Sequence, residues 1–203
     1  MDKSKLVRKF DKQAGLYEKQ RKTKNLEAWR RQLLLGAEGK VLELAVGAGA
    51  NFAYYSSDVK VTAVDFSPQM LDKAKIAAKE QGIDTEFILS DIETLEFPEK
   101  TFDTIVSTLS FCAYEHPVKV LNQLSHWCKP QGQILLMEHG LSFNPVVGFV
   151  QKVIDPIHFK LIGCHQKRDM LRLIQESDLQ LRKVESHWWG MFHLIWATPG
   201  RIS

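Results

Sequence analysis

The amino-acid sequence predicts an α/β fold: a doubly wound, mostly parallel seven-stranded sheet with helices on both faces. Three observations predict it. Short apolar, β-branched runs alternate with helix-period segments from Lys40 to Ser177, the pattern of a parallel sheet covered by helices. A glycine-rich turn, Gly47-Ala48-Gly49, closes the first of these runs. Two further strand-like runs, 179–184 and 192–197, end the chain, and no linker divides its 203 residues, so it reads as one domain over 1–203.

Residues 1–36 read as helical, with polar breaks near Gly15 and Thr23. Leu26, Trp29, Arg30, Leu33 and Leu34 form a helical stripe that ends at Gly36. This stretch is the expected N-terminal helical lid over a core of 37–140. The first strand spans Lys40–Ala45, and a short helix starts near Asn51. Val59–Val64 is the second strand. Ser67-Pro68 then supplies an N-cap and a first-turn proline. Met70, Leu71, Ala74, Ala77 and Ala78 give that helix a buried face, and Gly82 stops it. Strands follow at 85–89 and 102–107, a helix at 118–128, a turn at Lys129-Pro130-Gln131-Gly132 and a strand at 133–137. Residues 141–203 form the acceptor-side region. Pro145–Gly163 reads as an amphipathic helix with an irregular stretch, 167–177 as a helix, and the last strand as an antiparallel edge.

Bulk properties exclude several function classes. The net charge of +3 is too small to imply a nucleic-acid partner, although residues 1–24 carry nine Lys/Arg against three Asp/Glu. That basic start reads as a solvated arm or as a contact with an anionic surface. Cys112, Cys128 and Cys164 are odd in number and widely spaced, which gives no disulfide framework and, with seven scattered histidines, no metal-ligand spacing. A cytoplasmic setting is expected. The charged first residues contain no secretory signal, and no apolar run is long enough to span a membrane.

Ligands of open α/β sheets bind beyond the carboxyl ends of the strands, near the reversal of strand order. Three features fall at such ends. The small residues of Ala45-Val46-Gly47-Ala48-Gly49-Ala50 let backbone approach a ligand closely. Asp65, ending the second strand, is placed to accept both hydroxyls of a ribose. Asp91-Ile92, just after the third strand, is placed to meet an adenine amino group and ring. Phe52 spoils a dinucleotide fingerprint at its last small position, which argues against a nicotinamide-dependent oxidoreductase. Glu43, four residues before Gly47, instead suits a cofactor with an amino-acid tail and no phosphates.

These residues resemble the class I S-adenosylmethionine-dependent methyltransferases. Glu43–Gly49 is similar to their [ED]-x-G-x-G-x-G motif, with Ala45 in place of its first glycine. Lys129-Pro130-Gln131-Gly132 resembles their K-P-x-G turn, and Phe10-Asp11 with Tyr17-Glu18 resembles an aromatic–acidic pattern of their N-terminal helices. The resemblance implies S-adenosyl-L-methionine as cofactor. It also implies contacts from Tyr17, Glu43, Ala45, Gly47, Gly49, Asn51, Asp65, Phe66, Met70, Asp91, Ile92 and Thr108. Gly49-Ala50-Asn51-Phe52, Met137-Glu138-His139, Asp155-Pro156 and Gly163-Cys164 with Arg168 resemble a narrower group, the thiol S-methyltransferases of animal membranes and their bacterial relatives.

Methyl transfer from a sulfonium asks the protein for positioning and exclusion of water, and for a base only if the acceptor arrives protonated. Glu138 and His139 end the fifth strand, where an acceptor would sit, and are the expected catalytic residues; Glu138 can alternatively anchor the following loop. Cys164-His165 reads as pocket wall. The cluster Trp188, Trp189, Met191 and Phe192 reads as packing or as an apolar acceptor pocket. The apolar residues of 141–163 read first as a cover over the pocket mouth and second as a peripheral membrane contact. The expected acceptor is a small molecule or lipid headgroup, ranked as thiol sulfur, phospholipid nitrogen and quinone carbon. A non-catalytic S-adenosylmethionine-binding domain is the alternative outside enzymes. No N/D-P-P-Y/F motif follows the fourth strand, so nucleic acid is not an expected substrate.

Overall fold

A computed structural model describes residues 2–23 and 26–200. Seven strands form one sheet: β1 Lys40–Leu44, β2 Lys60–Asp65, β3 Asp84–Leu89, β4 Phe102–Thr108, β5 Cys128–His139, β6 Leu179–His187 and β7 Phe192–Pro199. Their order is β3-β2-β1-β4-β5-β7-β6. The first five pair in parallel, while β7 runs antiparallel to both β5 and β6. The expectation of an antiparallel edge at the last strand needs correction: β7 lies between β5 and β6, and β6 is the edge. The burial patterns explain this, since β7 is largely buried along its middle whereas β6 is exposed or half-buried everywhere after Leu179.

The helices are α1 Lys3–Lys22, α2 Glu27–Leu34, α3 Pro68–Gln81, α4 Pro117–Trp127, α5 Pro145–Ile162 and α6 Met170–Gln175, with a 3-10 turn at Phe52–Tyr54. Alternating strand residues feed two cores. Leu42, Ile105 and Leu136 pack with α4 and α6 on one face. Val41, Val106 and Leu135 pack with α2 and α3 on the other. Ser67 caps α3 by accepting from the Met70 amide at 3.2 Å, and Gly82 ends it at φ +65°. α1 runs unbroken through Gly15, because packing against α3 outweighs the modest helical cost of one glycine. The lysine–proline turn lies inside the span of β5 as an excursion. Phe102 pairs with Cys128, and pairing resumes only at Thr104 with Gln133.

α5 departs furthest from expectation. Its buried residues are Gly148, Gln151 and Asp155, while most of its large apolar side chains are exposed. It does not line the cavity described below, so residues 141–163 do not close over the pocket mouth.

Candidate active site

The sheet order reverses between β1 and β4, and a cavity of about 480 Å³ opens at the carboxyl ends of β1, β2 and β4. Ala45, Gly47, Asp65, Phe66, Met70 and Thr108 line it. α1 and α2 roof it with Phe10, Tyr17, Gln20, Arg21 and Arg30. Phe10 meets Phe66 edge-on at 5.4 Å, and Asp11 accepts from the Ser67 hydroxyl at 2.5 Å and the Gln69 amide at 3.3 Å. The aromatic–acidic pattern of the first helix thus fastens α1 to the start of α3.

Asp65 is buried. Its Oδ2 accepts from the Gly47 amide at 2.9 Å and its Oδ1 from the Ser67 amide at 2.8 Å. Burial pushes its carboxyl up to about 6, against the pull of those amides. Each oxygen keeps a second lone pair for a ribose hydroxyl. Ala45 holds φ +46°, a left-handed conformation that the family motif assigns to glycine. Gly49, at φ +76°, adjoins the cavity without lining it, and a Cβ there would lie 2.7 Å from the Phe52 ring and 2.8 Å from the Ala77 methyl.

Glu43 stands behind the turn. It accepts from Asn51 Nδ2 at 2.9 Å and from the Tyr55 hydroxyl at 2.8 Å, and burial pushes its carboxyl up to about 7. Asn51 passes this order on: its Oδ1 accepts a close hydrogen bond from Arg30, whose Nη1 also lies 3.1 Å from Thr108 Oγ1. Arg30 was legible only as part of the α2 stripe, yet it puts a buried guanidinium at the cavity wall. Burial pulls its pKa down while the nearby Glu43 opposes that pull. Arg21 lines the cavity too, with Nε and Nη2 buried and unpaired among the described residues. Neither arginine belongs to a motif, so helix packing alone reveals them. Asp91 and Ile92 do not line the cavity; Asp91 pairs with Lys3 at 2.6 Å and Ile92 lies in the core.

The profile of the methyltransferase-domain family matches residues 41–132. Phosphatidylethanolamine N-methyltransferase of Cereibacter sphaeroides is 34% identical over 145 residues, covering 70% of this chain and 71% of that protein. The chain belongs to the class I S-adenosylmethionine-dependent methyltransferases. A thiol S-methyltransferase of Rattus norvegicus is 31% identical, covering 83% of this chain and 73% of its own length. The solved structure of an S-adenosylmethionine-dependent methyltransferase from Mesorhizobium loti shares the fold, with a TM-score of 0.64 at 18% identity over 85% of this chain and 96% of that one. The cavity of this methyltransferase fits its cofactor. A carboxylate with free lone pairs stands at one wall, and the guanidiniums of Arg21, with Nε and Nη2 unpaired among the described residues, and Arg30 stand at another, matching ribose hydroxyls and an amino-acid carboxylate.

On the acceptor side, Glu138 is fully buried. It accepts from the Ser107 hydroxyl at 2.8 Å, the Ser110 amide at 2.9 Å and the Phe111 amide at 3.2 Å. It therefore holds the turn after β4, where Leu109 sits at φ +58° and where Thr108, Leu109 and Ser110 line the cavity. Burial pushes this carboxyl up to about 7. His139 does not line the cavity. Its Nε2 lies 2.9 Å from Cys164 Sγ, and donor atoms of Cys112, His139 and Cys164 all fall within 4.8 Å of one another. The hydrogen bond from Cys112 and the neighbouring His139 lower the Cys164 thiol against its burial. Burial opposes charge on His139, but Cys164 raises its pKa. Tyr17 bridges the two regions: burial and the charges of Cys112, Cys164 and Asp65 all raise its phenol. No sequence spacing could bring these three groups together, since they come from the loops after β4 and α5 and from the end of β5. Of the aromatic cluster Trp188 lines the cavity; it is 56% exposed and packs edge-on against Phe192 at 5.1 Å, so this tryptophan forms rim rather than core.

Proposed function

We propose that this methyltransferase methylates the sulfur of a lipophilic small-molecule thiol. The observation that carries this reading is the Cys164–His139 pair at 2.9 Å, set behind Tyr17 at the aromatic end of the cavity. Bound S-adenosylmethionine supplies an electrophilic methyl carbon on a sulfonium. Asp65 holds the ribose, Arg30 and Arg21 hold the amino-acid carboxylate, and Glu138 keeps the β4 turn in shape. Phe10, Tyr17, Tyr114 and Trp188 give the acceptor an apolar, water-poor enclosure. A thiol is a poor nucleophile until it loses its proton; the Cys164–His139 pair stands outside the cavity lining, so the proton passes to Cys164 through Tyr17 or a water beside it, with His139 stabilising the charge before the acceptor thiolate attacks. Among the described residues Asp65 is the one carboxylate that lines the cavity, and in this reading the ribose occupies it, which favours a neutral thiol over the ammonium of a phospholipid headgroup. Phospholipid nitrogen and quinone carbon remain the next readings.

The test offers purified protein and labelled S-adenosylmethionine an alkyl thiol, phosphatidylethanolamine vesicles and a demethylated quinone in parallel. Label is expected on the thiol. His139→Gln should lower kcat for that thiol by about 10²–10⁴, the range for a positioned acid–base group, with cofactor affinity kept. Transfer to another acceptor alone, or an unchanged kcat in His139→Gln, overturns the reading.

A further inference from the structure

α5 is built inside out for a helix of a globular protein. Its inward face is polar: Gln151 accepts from the Ser142 amide at 2.8 Å and donates to the Gly140 carbonyl at 3.0 Å. Asp155, 1% exposed, accepts from the Gln166 amide at 2.7 Å and pairs with His165 at 2.9 Å and Lys167 at 3.2 Å. The outward face is apolar. Val146, Phe149, Val150, Val153, Ile157 and Leu161 follow helical spacing and are all exposed. The eighteen residues make this stripe about 27 Å long at 1.5 Å per residue. It continues onto Phe143, whose amide donates to the Trp189 carbonyl at 2.7 Å, and so onto Trp188 and Trp189, 56% and 67% exposed. Trp188 is also cavity rim. The apolar surface and the mouth of the active site are therefore continuous.

The charges around this face identify what covers it. From Gly140 to Arg168 the only carboxylate is Asp155, which is buried and paired with His165 and Lys167, while Lys152 and Lys160 are exposed. α1 adds to them. Lys9 Nζ reaches the Lys160 carbonyl and, at 3.0 Å, the Leu161 carbonyl, and Lys5 and Lys9 share a shallow groove with Phe159 and Lys160. A two-fold dimer through this face would set the same cationic rim against itself. An anionic bilayer interface complements both parts at once, taking apolar side chains among acyl chains and lysines among phosphates, with Trp188 and Trp189 at headgroup level. No helix among the described residues is long and apolar enough to cross the membrane.

We propose that the exposed face of α5, with Phe143 and the Trp188–Trp189 turn, docks this enzyme onto an anionic membrane surface and turns its cavity mouth towards the bilayer. Acceptors dissolved in the bilayer then enter past Trp188; this second part rests on the lipophilic acceptor proposed above, whereas docking itself does not. Co-sedimentation of the full chain with phosphatidylcholine vesicles, with and without about one third phosphatidylglycerol, tests the docking. At moderate salt the partition coefficient is expected to be at least about tenfold higher on the anionic vesicles and to fall as salt rises. Tryptophan emission should shift to the blue on binding. The double variant Phe149→Asp, Val153→Asp should lose about tenfold or more of this binding while keeping its melting temperature and its turnover of a water-soluble thiol. Lys152→Glu with Lys160→Glu should remove the preference for anionic lipid. Absence of binding to either vesicle, or light scattering that shows a dimer dissociated by the same double variant, overturns the proposal. Activity on a soluble thiol is read separately, so failure of the acceptor assignment leaves the binding result distinct.

Discussion

Ala45 is a residue whose departure from its family's motif has a structural cost. An alanine at φ +46° pays about 1–2 kcal/mol for its left-handed conformation, whereas glycine would lose about 0.5–1 kcal/mol more backbone freedom on folding. Ala45→Gly is therefore expected to stabilise the protein by about 0.5–1 kcal/mol, read as a higher urea midpoint with an unchanged slope. Asp65 is the neighbouring residue with a chemical rather than a conformational task. Asp65→Ala should weaken S-adenosylmethionine binding by about 1.5–3 kcal/mol, the range for hydrogen bonds to a charged group, in calorimetry at a temperature where a melt shows the variant folded. An unchanged affinity would remove Asp65 from the ribose. Asp65 and the glycine turn were legible because strand-end position and residue type suffice to nominate them. Arg30 and Arg21 were not, because a guanidinium on an amphipathic helix looks like a solvated charge until the helix is packed over the cavity.

At the scale of elements, the local signals read most clearly where chemistry is local. The Ser67 cap, the Pro68 start and the Gly82 stop of α3 all involve groups within a few residues of one another, and the structure places each as expected. Elements whose character depends on distant partners read less well. The span of β5 absorbs a lysine–proline turn because its flanks pair with β4 on either side of the excursion. α5 has the amphipathic period of an ordinary surface helix, but period alone cannot tell which face points inward. Gln151 and Asp155 turn it over by satisfying amides and carbonyls of the 140–142 and 165–167 loops, groups that would be costly to bury unpaired. The apolar stripe is left outside as a consequence.

For the whole molecule, three buried carboxyls give stability a defined pH dependence. Glu43 and Glu138 are raised to about 7 and Asp65 to about 6, whereas unfolded carboxyls titrate near 4. Groups raised on folding contribute stability that is complete below the unfolded pKa and is lost as pH rises through the folded pKa. For these three groups alone, the free protein should thus become less stable from about pH 4 to about pH 7, with the steepest loss between about 5 and 6, where all three are protonated in the folded chain and ionised in the unfolded one. Chemical denaturation across that interval checks this, and stability that rises throughout it would contradict the assignment. The sign matters for the site as well, because Glu43 and Glu138 sit behind the two turns that shape the cavity, and their ionisation loads both turns with buried charge.

By itself the sequence determined the strand–helix alternation, the ends of β1 and β2 that line the cavity and the family, because each is written in residues close together in the chain or in patterns of fixed period. Only the tertiary structure decided that two guanidiniums face the cavity, that Glu138 braces the β4 turn and that Cys112, His139 and Cys164 meet. It alone decided that α5 shows its apolar face to the outside. These depend on long-range packing, in which each side chain's surroundings come from segments tens of residues away.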